Sequence, residues 1–570
     1  MAIANHPSYM WLNLHFTTLC LAMKAWLLLI VAASAFPNLP CDLCKDTVGL
    51  LQKAVTANKL MIDLVEDVII EVCGRSMNKT VCAGAIREMG TIVIDSLAGH
   101  YLSPELVCFK VGWCETPKFV KENLTAWLEN VMADKPDLPS PHPTGDQVYR
   151  FAHISDLHFD YEYLVGAPTA CSLPLCCRAG YPGNGTAGYW GDYNCDIPYR
   201  TLDAGISQLS QHPVDFILMT GDFAPHDIWN QSHAAQLRYI GGATEAIWQH
   251  FNSSQVALYP TLGNHECFPV NMFNMGDEQW VTKYISDLWG CRMDSEAVAS
   301  LFATGSYSVL HPGTNLRVIS LNTNACNNQN WWLFQNVTDP GGLILWLQGE
   351  LQKAESNGEL VYIIGHIAPG MGTCLDEWAY HYAGLVDRYE HTIRGQFFGH
   401  SHSDQFQLSR GVVSGESIGV QWVAPSLTTY TDINPSYRVV EADADTKEVL
   451  TYYQYRLDLP TANLHPTLAP EWVFAYEFLS EYSLPNANAT TMDQFVTSMA
   501  DSEALMLRYI NNRQTGVLPA STSCGPACRY NEACGLRYGV QAEVMKCQNA
   551  TWGLEDKVTR FLMGSWTYLQ

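Results

Sequence analysis

The chain has 570 residues, 47% hydrophobic and 11% aromatic, with a formal net charge of -25. One hydrophobic core stops growing near ~250 to 300 residues, so at least two folded units are expected of a composition that is that of a globular protein. The acidic balance argues against nucleic acid as a partner, and a phosphate-bearing substrate would need local positive charge of the kind bound metal supplies.

The first predicted element is a leader. "MKAWLLLIVAASAFP" begins at Met23, runs through an apolar stretch and reaches Ala33-Ser34-Ala35, so residues 1–35 read as a secretory signal cut before Phe36, with residues 1–22 an extension ahead of an alternative start. No later stretch reaches the ~20 apolar residues of a membrane span. Removing Cys20 with the leader leaves eighteen of the nineteen cysteines, an even number that predicts a full set of disulfides in an oxidising compartment. Sequons at Asn78, Asn123, Asn184, Asn230, Asn252, Asn336, Asn488 and Asn549 agree with a secreted or lysosomal glycoprotein.

Residues 37–120 carry six cysteines, Cys41, Cys44, Cys73, Cys82, Cys108 and Cys114, around a proline-free segment with apolar residues at helical spacing. Spacing alone allows fifteen pairings. The pattern resembles the saposin-type domain, which implies Cys41 to Cys114, Cys44 to Cys108 and Cys73 to Cys82. "DKPDLPSPHPTGD", residues 134–146, reads as a semi-rigid proline-rich linker. Over residues 147–455 strand-like runs alternate with longer stretches, "VYRFAHI", "DFILMT", "QVALYPT", "LRVISL", "LVYIIG" and "GQFFG", as in an α/β core. Residues 456–570 lose that alternation and hold Cys524, Cys528, Cys534 and Cys547, so a disulfide-tied helical region is expected.

Five of the strand-like runs end in a group able to bind metal: Asp156 and His158 in "ISDLHFD", Asp222 in "TGDFAPHD", Asn264 in "LGNHE", His366 in "IGHIAPG", and His400 with His402 in "FGHSH". Strand C-termini are where α/β sheets gather sites from distant segments. If "QFF" continues as a strand, His400 and His402 share one face roughly 7 Å apart, too far for one ion and suited to two. Carboxylate, imidazole and amide oxygens suit zinc, manganese or iron better than calcium.

Taken in order, D-x-H, G-D, G-N-H-E, G-H and G-H-x-H resemble the calcineurin-type metallophosphoesterases over about Val148 to Tyr455. The resemblance implies a four-layer α/β/β/α sandwich. It gives one ion Asp156, His158 and His402, gives the other Asn264, His366 and His400, and makes Asp222 the bridging carboxylate. Purple acid phosphatases have a tyrosine where this chain has Pro225, so two zinc ions per chain are expected rather than an iron-tyrosinate centre.

The order of saposin-type unit, linker and esterase core is similar to the acid sphingomyelinases, with support from "CSLPLCCRAG", "GDYNC", "NVTDPGGLILWLQGEL" and "NPSYRVVEAD". That family implies hydrolysis of sphingomyelin to ceramide and phosphocholine by a metal-bridged hydroxide, with His226 and His265 beside the leaving oxygen and Tyr437 lining the phosphate or headgroup pocket. It also implies disulfides Cys171 to Cys176, Cys177 to Cys195, Cys326 to Cys374, Cys524 to Cys528 and Cys534 to Cys547. The remaining Cys267 and Cys291 are expected to pair with each other. A peripheral, monomeric enzyme at a membrane surface follows, favoured at acidic pH where the negative charge relaxes. The alternatives are a phosphodiesterase acting on nucleotides or other phosphodiesters and a non-catalytic lipid-binding protein.

Overall fold

The computed structural model describes residues 143–548 apart from 337, 431 and 520, together with 118–138, 78–98 and scattered residues between 41 and 108. Twelve strands form its core: β1 (Val148–Ile154), β2 (Phe216–Met219), β3 (Ala257–Pro260), β4 (Tyr307–Leu310), β5 (Leu316–Ser320), β6 (Leu360–Ile364), β7 (Ile393–Phe398), β8 (Gln405–Arg410), β9 (Ser417–Val423), β10 (Ser436–Asp443), β11 (Val449–Leu457) and β12 (Trp472–Glu477). They make two six-stranded sheets, ordered β12-β11-β10-β1-β2-β3 and β8-β9-β7-β6-β5-β4. In the first sheet β1, β2 and β3 run parallel. In the second, β5, β6, β7 and β9 do.

Strand alternation divides the apolar residues between two cores. Tyr362 and Ile364 of β6 face the first sheet, whereas Val361 and Ile363 face helices Leu343–Asn357 and Asp376–Arg388 outside the second. Between the sheets, Phe151 stacks on Phe216 at 4.8 Å and meets Phe397 edge-on at 5.3 Å. Each such ring, wholly enclosed, is worth roughly 2 to 3 kcal/mol of burial. Helices Tyr199–Leu209 and His233–His250 contribute Leu202, Ile206, Ile240 and Ala243 to the same core. The α/β/β/α sandwich is thus present.

The C-terminal region differs in part from its expectation. The first sheet does not end at residue 455, because β11 runs to Leu457 and β12 pairs with it antiparallel. Only then do the helices Ala489–Asp501, Glu503–Arg513, Pro526–Arg537 and Gln541–Cys547 follow, tied by Cys524–Cys528 and Cys534–Cys547. They cover the sandwich at β8, where Phe495 and Tyr509 pack on Phe406.

At the N-terminal end, Cys44–Cys108 and Cys73–Cys82 are bonded, and the signal segment and Cys114 lie outside the described residues. Helix Lys79–Ala98 docks on the sandwich through Val81, which is fully enclosed with Trp229, Val270 and Tyr430. Gly84 allows the approach, since a Cβ there would lie 2.3 Å from the Trp229 carbonyl oxygen. The segment expected as a linker is anchored: helix Lys118–Met132 packs Trp127 on His381, Lys135 pairs with Asp387 and Glu390, and the Gly145 N–H donates to Asp443.

This docking carries a pH dependence. Glu88, on the docked helix, is half-buried with Oε2 lacking a hydrogen-bond partner. Burial raises its carboxyl, a backbone hydrogen bond at Gln231 partly opposes it, and the Asp227 carboxylate raises it further, to about 7 from an ordinary 4.5. A raised acid favours the docked state while protonated, so the contribution is full below about 4.5 and is lost as pH rises through about 7. Amides of residues 79–98 are expected to exchange more slowly at pH 5 than at pH 7.5 after correction for intrinsic rates, and Glu88→Gln should level the two. Equal protection in the wild type would contradict this.

Candidate metal centre

All the predicted ligands stand just beyond strand ends at one edge of the sandwich. Asp156 and His158 follow β1, Asp222 follows β2, Asn264 follows β3, His366 follows β6, and His400 and His402 follow β7. Asp156, His158, Asp222, His400 and His402 take positive φ angles between 30° and 72°. That conformation is uncommon outside glycine and costs about 1 to 3 kcal/mol per residue. It also corrects one expectation: β7 ends at Phe398, so His400 and His402 do not share a strand face but turn, through left-handed backbone, toward different neighbours.

The glycines of these motifs have a steric role. A Cβ on Gly263 would stand 2.0 Å from Asp222 Oδ1, and one on Gly399 would stand 1.8 Å from Ser155 Oγ. Only a bare backbone passes that close to the carboxylates.

Two ligand sets form. Asp156, His158 and His402 converge in one, with His402 Nε2 3.5 Å and His158 Nε2 4.0 Å from Asp156 Oδ1. Asp222, His366 and His400 converge in the other, with His366 Nε2 2.9 Å from Asp222 Oδ2 and 3.2 Å from His400 Nδ1. Asp222 Oδ2 is also 3.5 Å from His158 Nε2, so this one carboxylate borders both sets. Its other oxygen accepts the His265 N–H at 2.8 Å.

Three imidazoles are oriented by carbonyls. His158 Nδ1 bonds Ala224 O, His366 Nδ1 bonds Thr220 O and His402 Nδ1 bonds Tyr430 O, each at 2.6 Å. A carbonyl only accepts, so each Nδ1 carries the hydrogen and, in the neutral ring, each Nε2 presents a lone pair inward. His158 Nε2 and the Asn264 Oδ1 are buried with no hydrogen-bond partner. Orphaned acceptors beside two buried carboxylates cost free energy unless a cation sits among them, so the donor set fits two metal ions.

The protonation pattern points the same way. Burial would lower His366, but the Asp222 and Asp156 carboxylates overrule it and push it up to about 9. Burial opposes the Asp222 charge, and the His366 and His265 rings nevertheless hold its carboxyl well below the usual range. His158 and His265 are pushed down to about 4, chiefly by burial, and His400 falls well below its ordinary value for the same reason. His158, His265 and His400 therefore keep proton-free nitrogens near the negative Asp222, while the site opposite Asp222 is filled by the proton that His366 retains, a positive charge a metal ion would replace.

A third group, His158, His226 and His265, lies on one side of these sets. The His226 ring is 4.0 Å from His158 and 4.7 Å from His265, and the Tyr430 ring packs against it, tilted by 33°, at 4.5 Å. The residue that sequence reading missed is Asp196. Its carboxylate accepts the His226 Nδ1–H at 2.8 Å and the His226 backbone N–H at 2.7 Å, and Thr428 Oγ1 donates to it at 3.0 Å. Its one available signal was adjacency to Cys195, whose bond to Cys177 holds the segment. Glu266 is a second missed residue: it accepts the N–H groups of Gly263, Asp222 and Phe223 at 2.7 to 2.9 Å and so fixes the turn that carries Asp222.

Two expectations fail. Tyr437 does not reach the centre: it is enclosed on the outer face of β10, with its hydroxyl 3.2 Å from His212 Nε2 and its ring stacked on Tyr455, while the next residue, Arg438, turns inward to Asp404. Cys267 and Cys291 do not pair. Cys267 is buried with its thiol toward the Gly263 carbonyl, and Cys291 is exposed on a separate turn. The bonds Cys171–Cys176, Cys177–Cys195 and Cys326–Cys374 are formed. Among the sequon asparagines, Asn184, Asn230, Asn252, Asn336 and Asn488 are exposed and Asn78 is half-buried, whereas the Asn123 side chain and Asn549 lie outside the described residues.

Residues 149–404 match the family model described as calcineurin-like phosphoesterase. The chain is 35% identical over 522 residues to sphingomyelin phosphodiesterase of Bos taurus, covering 87% of this chain and 81% of the relative. To sphingomyelin phosphodiesterase B of Dictyostelium discoideum it is 31% identical over 526 residues, covering 89% and 82%. Among solved structures, a dimetal phosphatase from Danio rerio aligns with 54% of this chain and 98% of its own, at 14% identity and a TM-score of 0.34.

Proposed function

From the premise that the chain belongs to the sphingomyelin phosphodiesterase family, we propose that it hydrolyses the phosphodiester bond of sphingomyelin at a zinc pair, releasing ceramide and phosphocholine. The observation that carries the reading is the pair of ligand sets sharing Asp222, flanked on one side by His226 and His265.

Asp156, His158 and His402 would hold one ion, Asn264, His366 and His400 the other, and Asp222 both. When bound, the ions supply Lewis acidity and an activated water for in-line displacement. The mixed oxygen and nitrogen donors suit zinc, manganese or iron, and Pro225, which leaves no tyrosinate for iron, favours zinc. The remaining steps belong to the chain. Asp196 takes the Nδ1–H of His226 and so leaves Nε2 as the atom that holds and delivers a proton. The departing ceramide oxygen is a poor leaving group without that proton. His265, 4.7 Å from both His158 and His226, stands ready to orient the same oxygen. Sequons and disulfides support a secreted or lysosomal setting. No helix among the described residues is long and apolar enough to cross a membrane, in keeping with peripheral contact.

The test is phosphocholine release from sphingomyelin vesicles at pH 5 and pH 7, with and without a zinc chelator, beside a soluble nucleotide diester. Chelator-sensitive release, faster at pH 5, with two zinc ions per chain by elemental analysis, is the expected result. Cleavage of the nucleotide alone would overturn the substrate, and release indifferent to the chelator would overturn the centre.

A further inference from the structure

A groove of about 800 Å³ opens between the loop around Val165 and Tyr189 and the segment that follows β11, where Asn463, Thr467 and Leu468 form the opposite wall. Two properties mark it. None of its lining residues is charged, in a chain whose net charge is -25. Its rim exposes large apolar side chains: Leu464 and Leu468 are 76% and 61% exposed, and Leu164, Val165 and Tyr189 are exposed as well.

The groove is joined to the metal centre. Ala187, in its wall, belongs to one packed cluster with Tyr163, Trp229 and Tyr430. The Tyr430 ring packs against His226, and its carbonyl orients His402. Val81 of the docked N-terminal helix enters that same cluster. One small core therefore connects the proton-carrying histidine, the N-terminal unit and the apolar groove.

We propose that this groove and its Leu464–Leu468 rim form a docking surface for a zwitterionic lipid bilayer, which seats the catalytic domain where its substrate lies. The inference rests on the sphingomyelin reading above. Apart from Arg200 beside Tyr189, the lining offers a strongly charged partner nothing to pair with, and it suits a surface with no net charge. Exposed leucines give up water on entering the interface. Tyr189, with the Arg200 guanidinium 4.6 Å above its ring, is of the amphipathic type that settles at headgroup depth.

The test uses the full chain with Leu464→Ser and Leu468→Ser together. Both residues are exposed, so the fold stands. Co-sedimentation with phosphatidylcholine–sphingomyelin vesicles is read alongside hydrolysis of a water-soluble phosphocholine diester. Vesicle binding and vesicle hydrolysis are expected to fall roughly fivefold or more, with the soluble diester within about twofold of wild type. Leu345→Ser, an exposed leucine on the helix outside the second sheet, is expected to leave binding unchanged. Unaltered vesicle binding in the double variant overturns the proposal, as does an equal loss from Leu345→Ser. If the wild type binds vesicles through the groove yet releases no phosphocholine, the substrate reading fails while the docking surface stands.

Discussion

Asp222→Asn is expected to abolish turnover and to empty the metal centre. The amide keeps the shape of the carboxylate and can still accept the His265 N–H, but it brings no charge to the point 2.9 Å from His366 Nε2 and 3.5 Å from His158 Nε2. Even one unit-charge attraction at 4 Å is worth about 4 kcal/mol at an effective dielectric of 20. At 1.36 kcal/mol per decade, that is about a thousandfold. Phosphocholine release should therefore fall by about three orders of magnitude, and elemental analysis should find one ion or none, with the far-UV circular dichroism unchanged. Two ions per chain and activity within about tenfold of wild type would remove Asp222 from its bridging role.

The second large effect concerns His226. If Nε2 delivers a proton to the ceramide oxygen, His226→Ala should cost roughly 10² to 10⁴ in kcat on sphingomyelin with little change in metal content. A phosphocholine ester of nitrophenol provides the control, because nitrophenolate departs without a proton and should lose far less. Asp196→Asn should show the same contrast at smaller size, about 10- to 100-fold, since it keeps the His226 ring and alters only the acceptor that holds it. Equal losses on both substrates, or loss of metal from His226→Ala, would make His226 a structural histidine.

The metal ligands were legible because each belongs to a short motif, and in most of these a glycine stands directly before the ligand, as Gly221 does before Asp222, Gly263 before Asn264, Gly365 before His366 and Gly399 before His400. Asp196 was not, because its partner His226 lies 30 residues away and meets it through the fold alone. Tyr437 was misread for a different reason: β10 is buried on both faces, so no alternation of polar and apolar residues reveals which side chains turn inward. Counting cysteines toward an even total paired Cys267 with Cys291, but parity carries no information about burial, and one thiol is sealed in the core while the other faces solvent. The strand β12 escaped because it lies beyond a chain reversal and adds to an edge, where its residues are only partly buried.

The ligand sets draw from both sheets. Asp156, Asp222 and Asn264 come from the ends of β1, β2 and β3 in the first sheet, and His366, His400 and His402 from the ends of β6 and β7 in the second. A bound ion pair would consequently rivet two separately hydrogen-bonded sheets together at their open edge, adding to the few bonds that already cross there, such as His366 Nδ1 to the Thr220 carbonyl and the His400 N–H to Asp156. Anything that binds the folded chain and not the unfolded one adds stability in proportion to the logarithm of its free concentration. Zinc supply would then set how firmly the sandwich is closed as well as how fast it works, and a compartment poor in zinc would hold a looser protein, not merely a slower enzyme.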